Sequence, residues 1–164
     1  MHRLWAPWRA KYIQEVADKS PEKCFLCEAL RLENPEEAFV LEINKYSFAI
    51  LNIYPYNTGH LMVVPIRHTG NFEELTPEEH QDLGLLIAKC IRALKLAYSP
   101  HGINIGMNLG RAAGAGLESH LHYHIVPRWN GDTNFMPIIA DTKVISEMLE
   151  DSFSKLTQAL KQLK

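Results

Sequence analysis

Cysteine is scarce in this chain of 164 residues, with three in all. Cys24, Cys27 and Cys90 are too few for a disulfide framework and suit a reducing compartment, so the expected location is the cytoplasm. An excess of one charge is also missing. Seventeen Lys and Arg stand against 19 Asp and Glu, for a net charge of -2. That balance argues against broad binding to nucleic acid or to an anionic membrane, while leaving room for a small anionic ligand. No apolar run approaches the length of a membrane span. The first nine residues, Met1 to Arg9, contain no apolar core of a signal peptide. Internal repeats and low-complexity linkers are absent too. With 46% hydrophobic residues, the expectation is one domain over 1–164 with a sizeable core.

The segments that are present read as an α+β fold. Phe39–Ile43 and Ser47–Leu51 are rich in strand-forming residues, with a turn at Asn44-Lys45. His60–Pro65 and Ile103–Met107 read as further strands. Thr76-Pro77-Glu78-Glu79 is a helix start, with a capping hydroxyl, a first-turn proline and a reciprocal Glu. Leu83, Leu86, Ile87, Cys90, Ile91 and Leu94 then recur at helical spacing, and the helix ends near Tyr98-Ser99-Pro100. Cys90 lies on that apolar side and reads as a buried thiol. A last amphipathic helix is expected over about 142–163, with Val144, Met148, Leu156, Leu160 and Leu163 available for burial. Residues 1–23, with Trp5, Pro7 and Trp8, read as an arm that docks on the body or on a partner. Hairpin-linked strands and few helices imply an antiparallel sheet of about five strands with helices packed on it.

The chemistry concentrates in His120-Leu121-His122-Tyr123-His124-Ile125-Val126-Pro127. On a strand, alternate residues share a face, so three imidazoles would stand in a row. Neutral imidazole is a competent nucleophile, and its neighbours can share protons near neutral pH. Before the row comes Asn108-Leu109-Gly110-Arg111-Ala112-Ala113-Gly114-Ala115-Gly116. Such a loop can turn backbone N–H groups toward an anion, or serve simply as a connector. Ser119, next to His120, is expected on the opposite face. Cys24-Phe25-Leu26-Cys27 has the spacing of half a zinc site, or is a pair of buried thiols. Trp129 either stacks on a base or packs in the ordinary way. Arg111 and Arg128 can neutralise a polyphosphate or face solvent. His2, His80 and His101 have no evident partners.

The triad stretch, together with Asn52-Ile53-Tyr54-Pro55-Tyr56-Asn57-Thr58-Gly59-His60 and Asn108-Leu109-Gly110, resembles the histidine triad superfamily of nucleotide hydrolases and transferases. Leu4-Trp5-Ala6-Pro7-Trp8-Arg9, Tyr54-Pro55-Tyr56-Asn57 and Arg128 to Phe135 are similar to the bacterial branch that includes diadenosine tetraphosphate phosphorylases. The resemblance implies that His122 is the nucleophile and that His124 meets the phosphate and the leaving group. His120 and His60 would support the row. Asn52 would bind ribose, while Asn108, Gly110, Ala115 and Gly116 would contact or surround the phosphate. It further implies a structural zinc held by Cys24, Cys27, His68 and His120, no organic cofactor, and a homodimer whose sheets join. The expected substrate is a dinucleoside polyphosphate, with inorganic phosphate as acceptor. Water as acceptor, a phosphoramidate substrate, a zinc-stabilised nucleotide-binding module, and a catalytic zinc on the histidine row are the rival readings.

One departure from the family pattern stands out. Many relatives carry Gln or Ser shortly after the loop glycine, where this chain has Ala115-Gly116-Leu117-Glu118-Ser119.

Overall fold

The computed structural model describes residues 24–133 and 144–163. The arm expected over 1–23 and the segment 134–143 lie outside the described residues. The elements run α1 (Phe25–Arg31), β1 (Val40–Ile43), β2 (Ser47–Leu51), β3 (Leu61–Pro65), α2 (Pro77–Tyr98), β4 (Gly102–Gly106), β5 (Tyr123–Arg128) and α3 (Leu149–Gln162). The five strands form one antiparallel sheet in the order β1-β2-β3-β5-β4, so the fold is the expected α+β class.

Strand register divides the apolar residues between two faces. Ala49, Leu51, Leu61, Val63 and Ile125 point to one side, where they meet Leu83, Leu86, Ala93 and Leu94 of α2 and Leu156 and Leu160 of α3. Phe48, Ile50, Met62 and Val64 point to the other, beneath Leu26 and Ala29 of α1. Every residue of β2 and β3 is buried, which explains why these strands read as unbroken apolar runs. Full burial of each large apolar side chain stabilises the fold by about 1.5–3 kcal/mol.

α2 begins and ends as its sequence implies. Thr76 Oγ1 accepts from Glu79 N–H, and the Glu79 carboxylate accepts from Thr76 N–H, closing the capping box. Ser99 turns left-handed and stops the helix before Pro100. Glu79 also receives Nε and Nη2 of Arg67 at 2.8 Å each, which holds its carboxyl down at about 2. Asp82, on the same helix, accepts from the buried Ser47 hydroxyl at 2.5 Å and from Tyr46 N–H. It thereby fastens the β1–β2 turn to α2.

β3 starts one residue later than expected and β4 is shifted back by one, and three further boundaries differ. Phe39 is not part of β1; it takes a left-handed conformation (φ 62°) that closes the short turn Pro35–Ala38. α3 starts at Leu149 rather than near 142, so Val144 and Met148 precede it and are exposed. Phe153 packs edge-on against Phe39 in their place, and the buried Ser152 bonds Glu147. Finally, β5 begins only at Tyr123, so His120 and His122 lie in the segment leading into it.

Candidate active site

Register still keeps the even-numbered residues together. His124 faces Met62 on β3 and Gly106 on β4. It therefore shares the α1 side of the sheet with Ile50 and Met62, while Leu121 and Ile125 enter the other core. The three histidines nevertheless do not form a uniform row. His120 turns to the cysteines, His124 turns to His60, and the ring of His122 packs edge-on against that of His124.

Heavy-atom partners fix each tautomer. Tyr56 N–H donates to His60 Nδ1 at 3.0 Å, so neutral His60 carries its proton on Nε2. That N–H donates to His124 Nδ1 at 3.0 Å, which puts the His124 proton on Nε2. Burial, with His124 and His122 as neighbours, pushes His60 down to about 3, so the chain of donors stays neutral at its base. His122 Nδ1 lies 2.8 Å from the His120 carbonyl, which can only accept. Its proton is thus on Nδ1, and Nε2 keeps a lone pair. Burial lowers the His122 pKa, and the bond to the carbonyl works against that. The site presents a nucleophilic nitrogen beside a hydrogen-bond donor, the ring centres of His122 and His124 being 5.0 Å apart.

His120 is fully buried and differently engaged. Its Nε2 donates to the Pro65 carbonyl at 2.8 Å, leaving the Nδ1 lone pair 3.2 Å from Cys24 Sγ and 3.5 Å from Cys27 Sγ. Cys27 Sγ is 3.3 Å from His68 Nδ1. All four donor atoms lie within 4.8 Å of one another. Tetrahedral zinc with these ligand types has donor–donor edges of roughly 3.3–3.8 Å, so the cluster is the right size and has the right chemistry. Burial and the Cys24 thiol push the Cys27 thiol up to about 11, a penalty that a divalent cation between the sulfurs would reverse. Cys24 caps α1 and Cys27 lies in its first turn, a helix that the sequence reading left out.

The other expected site residues divide. Asn52 ends β2 with its N–H on the His60 carbonyl. Its Oδ1 accepts from Tyr54 N–H at 2.9 Å. Asn108 donates to the Gly114 carbonyl at 3.3 Å and lines a groove of about 400 Å³ that includes Tyr56, Asn104, His124, Val126 and Arg128. The loop from Gly110 curls into a short turn at Arg111–Ala113, with both flanking glycines at positive φ. The N–H groups of Ala113, Gly114 and Ala115 are consumed inside it by the Gly110 and Arg111 carbonyls. The expected phosphate cradle therefore loses these donors, and Ala115 is buried. Gly116 follows directly in the bend before Leu117. Arg111 pairs with Glu118 on the surface.

Trp129 meets the ring of Tyr98 edge-on at 6.4 Å and stays partly exposed. His80 packs on Phe72, and His101 accepts from Asn130 N–H. Sequence reasoning missed Asp132, which grips Arg128 through a fork at 2.6 and 2.8 Å and also receives Asn57. Its one available signal was the Asn-Gly-Asp turn after the strand, closed by Gly131 at φ 80°.

An antiparallel sheet thus carries a histidine pair of opposite tautomers next to a Cys2His2 cluster of the size that tetrahedral zinc requires. Residues 32–131 match the HIT domain family. The chain is 45% identical over 159 residues to the AP-4-A phosphorylase of Mycobacterium tuberculosis, covering 93% of this chain and 80% of that protein. It is 37% identical over 87 residues to a bis(5'-adenosyl)-triphosphatase of Saccharomyces cerevisiae, covering 52% and 42% of the two chains. The crystal structure of a Zn-bound histidine triad family protein from Mycobacterium smegmatis superposes with a TM-score of 0.70 at 28% identity, over 88% of this chain and 97% of that one. The chain belongs to the HIT domain family and is one of its enzymes.

Proposed function

We propose that this protein cleaves diadenosine tetraphosphate with inorganic phosphate, giving ADP and ATP through a nucleotidyl intermediate on His122. The observation that carries this reading is the tautomer pair: a lone pair on His122 Nε2 beside a proton on His124 Nε2. His122 Nε2 forms a bond to the α-phosphorus, the bridging P–O bond breaks, and its electron pair leaves with ATP. His124 Nε2–H donates a hydrogen bond to that departing oxygen. Full protonation is not required, because a polyphosphate oxygen is a weak base. As His122 gains positive charge, its Nδ1–H bond to the His120 carbonyl strengthens. A phosphate oxygen then attacks the same phosphorus, and the N–P electron pair returns to Nε2. Asn52 holds the ribose and Asn108 borders the phosphate path beside Gly110.

The phosphorylase choice over hydrolysis rests on similarity to the mycobacterial enzyme. Product analysis in the presence and absence of phosphate tests it. ADP plus ATP supports the proposal; AMP plus ATP in excess phosphate makes the enzyme a hydrolase.

Zinc would sit between Cys24, Cys27, His68 and His120 and take no part in a step. With four N and S donors it has no open position, so its contribution is to hold α1, the His68 segment and the His120 carbonyl together. We further propose a homodimer joined along β4, an edge strand with Ile105 exposed.

A further inference from the structure

The groove beside His124 has a fixed wall that the proposed chemistry at phosphorus does not use. Arg128 lies at its far end, four residues along β5 from His124, or roughly 13 Å. The guanidinium is anchored on three edges. Nε and Nη2 fork onto the Asp132 carboxylate, and Nη1 donates to Asn104 Oδ1 at 2.9 Å. Asp132 is itself held by Asn57 Nδ2 and by Trp129 N–H.

Two consequences follow. The positive charge of Arg128 is matched by a bidentate carboxylate, so it is a poor anchor for a polyphosphate. Its plane, however, cannot swing, and an immobilised guanidinium is a stacking surface for an aromatic ring. The rest of the groove suits such a ring. Val126 makes an apolar floor, and Tyr56 stands half-exposed at the His124 end, its ring stacked on His124 at 5.6 Å.

Position gives the groove its occupant. Asn52 is at the end of β2, on one side of β3; the groove lies over β5 and β4, on the other. The histidine pair is between them. A substrate whose first ribose is at Asn52 and whose phosphorus is at His122 sends its leaving arm past His124, the residue that meets the leaving oxygen and also lines the groove.

We propose that this groove is the subsite for the second, departing nucleoside of a dinucleoside polyphosphate, with the Arg128 face as the platform for its base. Arg128 is then a specificity residue: it separates dinucleoside from mononucleoside polyphosphates. This rests on the proposed activity, but it is tested by binding, which does not need turnover.

The test uses the full chain carrying His122→Ala, so that ligands stay intact, and isothermal titration with diadenosine tetraphosphate and with adenosine tetraphosphate. The first ligand should bind about tenfold tighter, the value of one stacked base. Adding Arg128→Lys, which keeps the charge and removes the plane, should close that gap while the adenosine tetraphosphate affinity stays within about twofold. Asn104→Ala, which frees one edge of the guanidinium, should narrow the gap partway. Equal affinity for the two ligands without the Arg128 change overturns the proposal, as does a gap that Arg128→Lys leaves intact. A parallel loss for both ligands assigns Arg128 a purely structural role and overturns it as well. Failure of the proposed activity looks different: the binding gap persists, and the wild-type protein releases no product.

Discussion

His120 and His122 are two residues apart in one motif, and they live in different chemistry. His120 is fully buried, its two nitrogens committed to the Pro65 carbonyl and to the cysteine pair. His122 commits Nδ1 to the His120 carbonyl, which leaves its lone pair on Nε2. The contact between the two regions is a backbone carbonyl, that of His120. One end of the triad is therefore a corner that fixes a carbonyl, and the other is the pair to which the proposed function assigns the chemistry. The lesson is that equal residue types on equal spacing do not share a role. What each ring can do is set by which nitrogen its second partner takes.

Four changes test this division, beginning with the largest effect. His122→Ala should lower turnover by on the order of 10⁴-fold or more, with little change in thermal unfolding, because it removes the proposed nucleophile and leaves both cores intact. Steady-state rates within a few-fold of wild type would remove His122 from the mechanism. Cys24→Ala with Cys27→Ala, or metal removal by a chelator, should do the reverse. The unfolding midpoint should drop by at least about 5 °C, while rates measured well below it fall far less. Loss of activity at unchanged stability would instead make the metal catalytic.

The third change is pH. His60 is held at about 3 in the fold, below the ordinary 6.5, chiefly by burial. Its folded-state pKa is depressed, so the unfolded chain binds more protons between these values. This contribution to stability is therefore full above about 6.5 and is lost progressively as pH falls toward 3. Urea unfolding at pH 7 and pH 4.5 should show this loss, and it should shrink in His60→Gln. A variant with the full acid sensitivity of wild type would place its cause elsewhere. The smallest effect belongs to Thr76→Ala, which is distant from both ends of the triad. It should cost about 1 kcal/mol of stability by opening the capping box, with no change in KM.

Much of this was legible in the sequence because it is local. Thr76 to Tyr98 announces its own start, spacing and stop, and β2 and β3 declare themselves by composition. The motifs also point to His122 and to the cysteine–histidine set. What stayed hidden depends on distant partners. The pairing of His120 with Cys24, 96 residues away, was reached through the family resemblance alone, since nothing in the local spacing of the triad announces it. The α1 helix is short and half-exposed, stabilised by packing on Phe48 and Val64 rather than by its own pattern. Just before α3, the Glu147 carboxylate accepts from the hydroxyls of Ser152 and Tyr98, the latter 49 residues away. The closed turn of the glycine loop, and the grip of Asp132 on Arg128, follow from hydrogen bonds that composition does not specify.

The most direct test of the split triad is to trap the intermediate. Wild-type protein mixed with diadenosine tetraphosphate in the absence of added phosphate, quenched rapidly and digested, is mapped by mass spectrometry for an adenylyl group. The account predicts that group on His122, and no histidine adduct when His122→Ala is used. An adduct on His120 or His124, or catalysis at full rate with no adduct on any histidine, would contradict it.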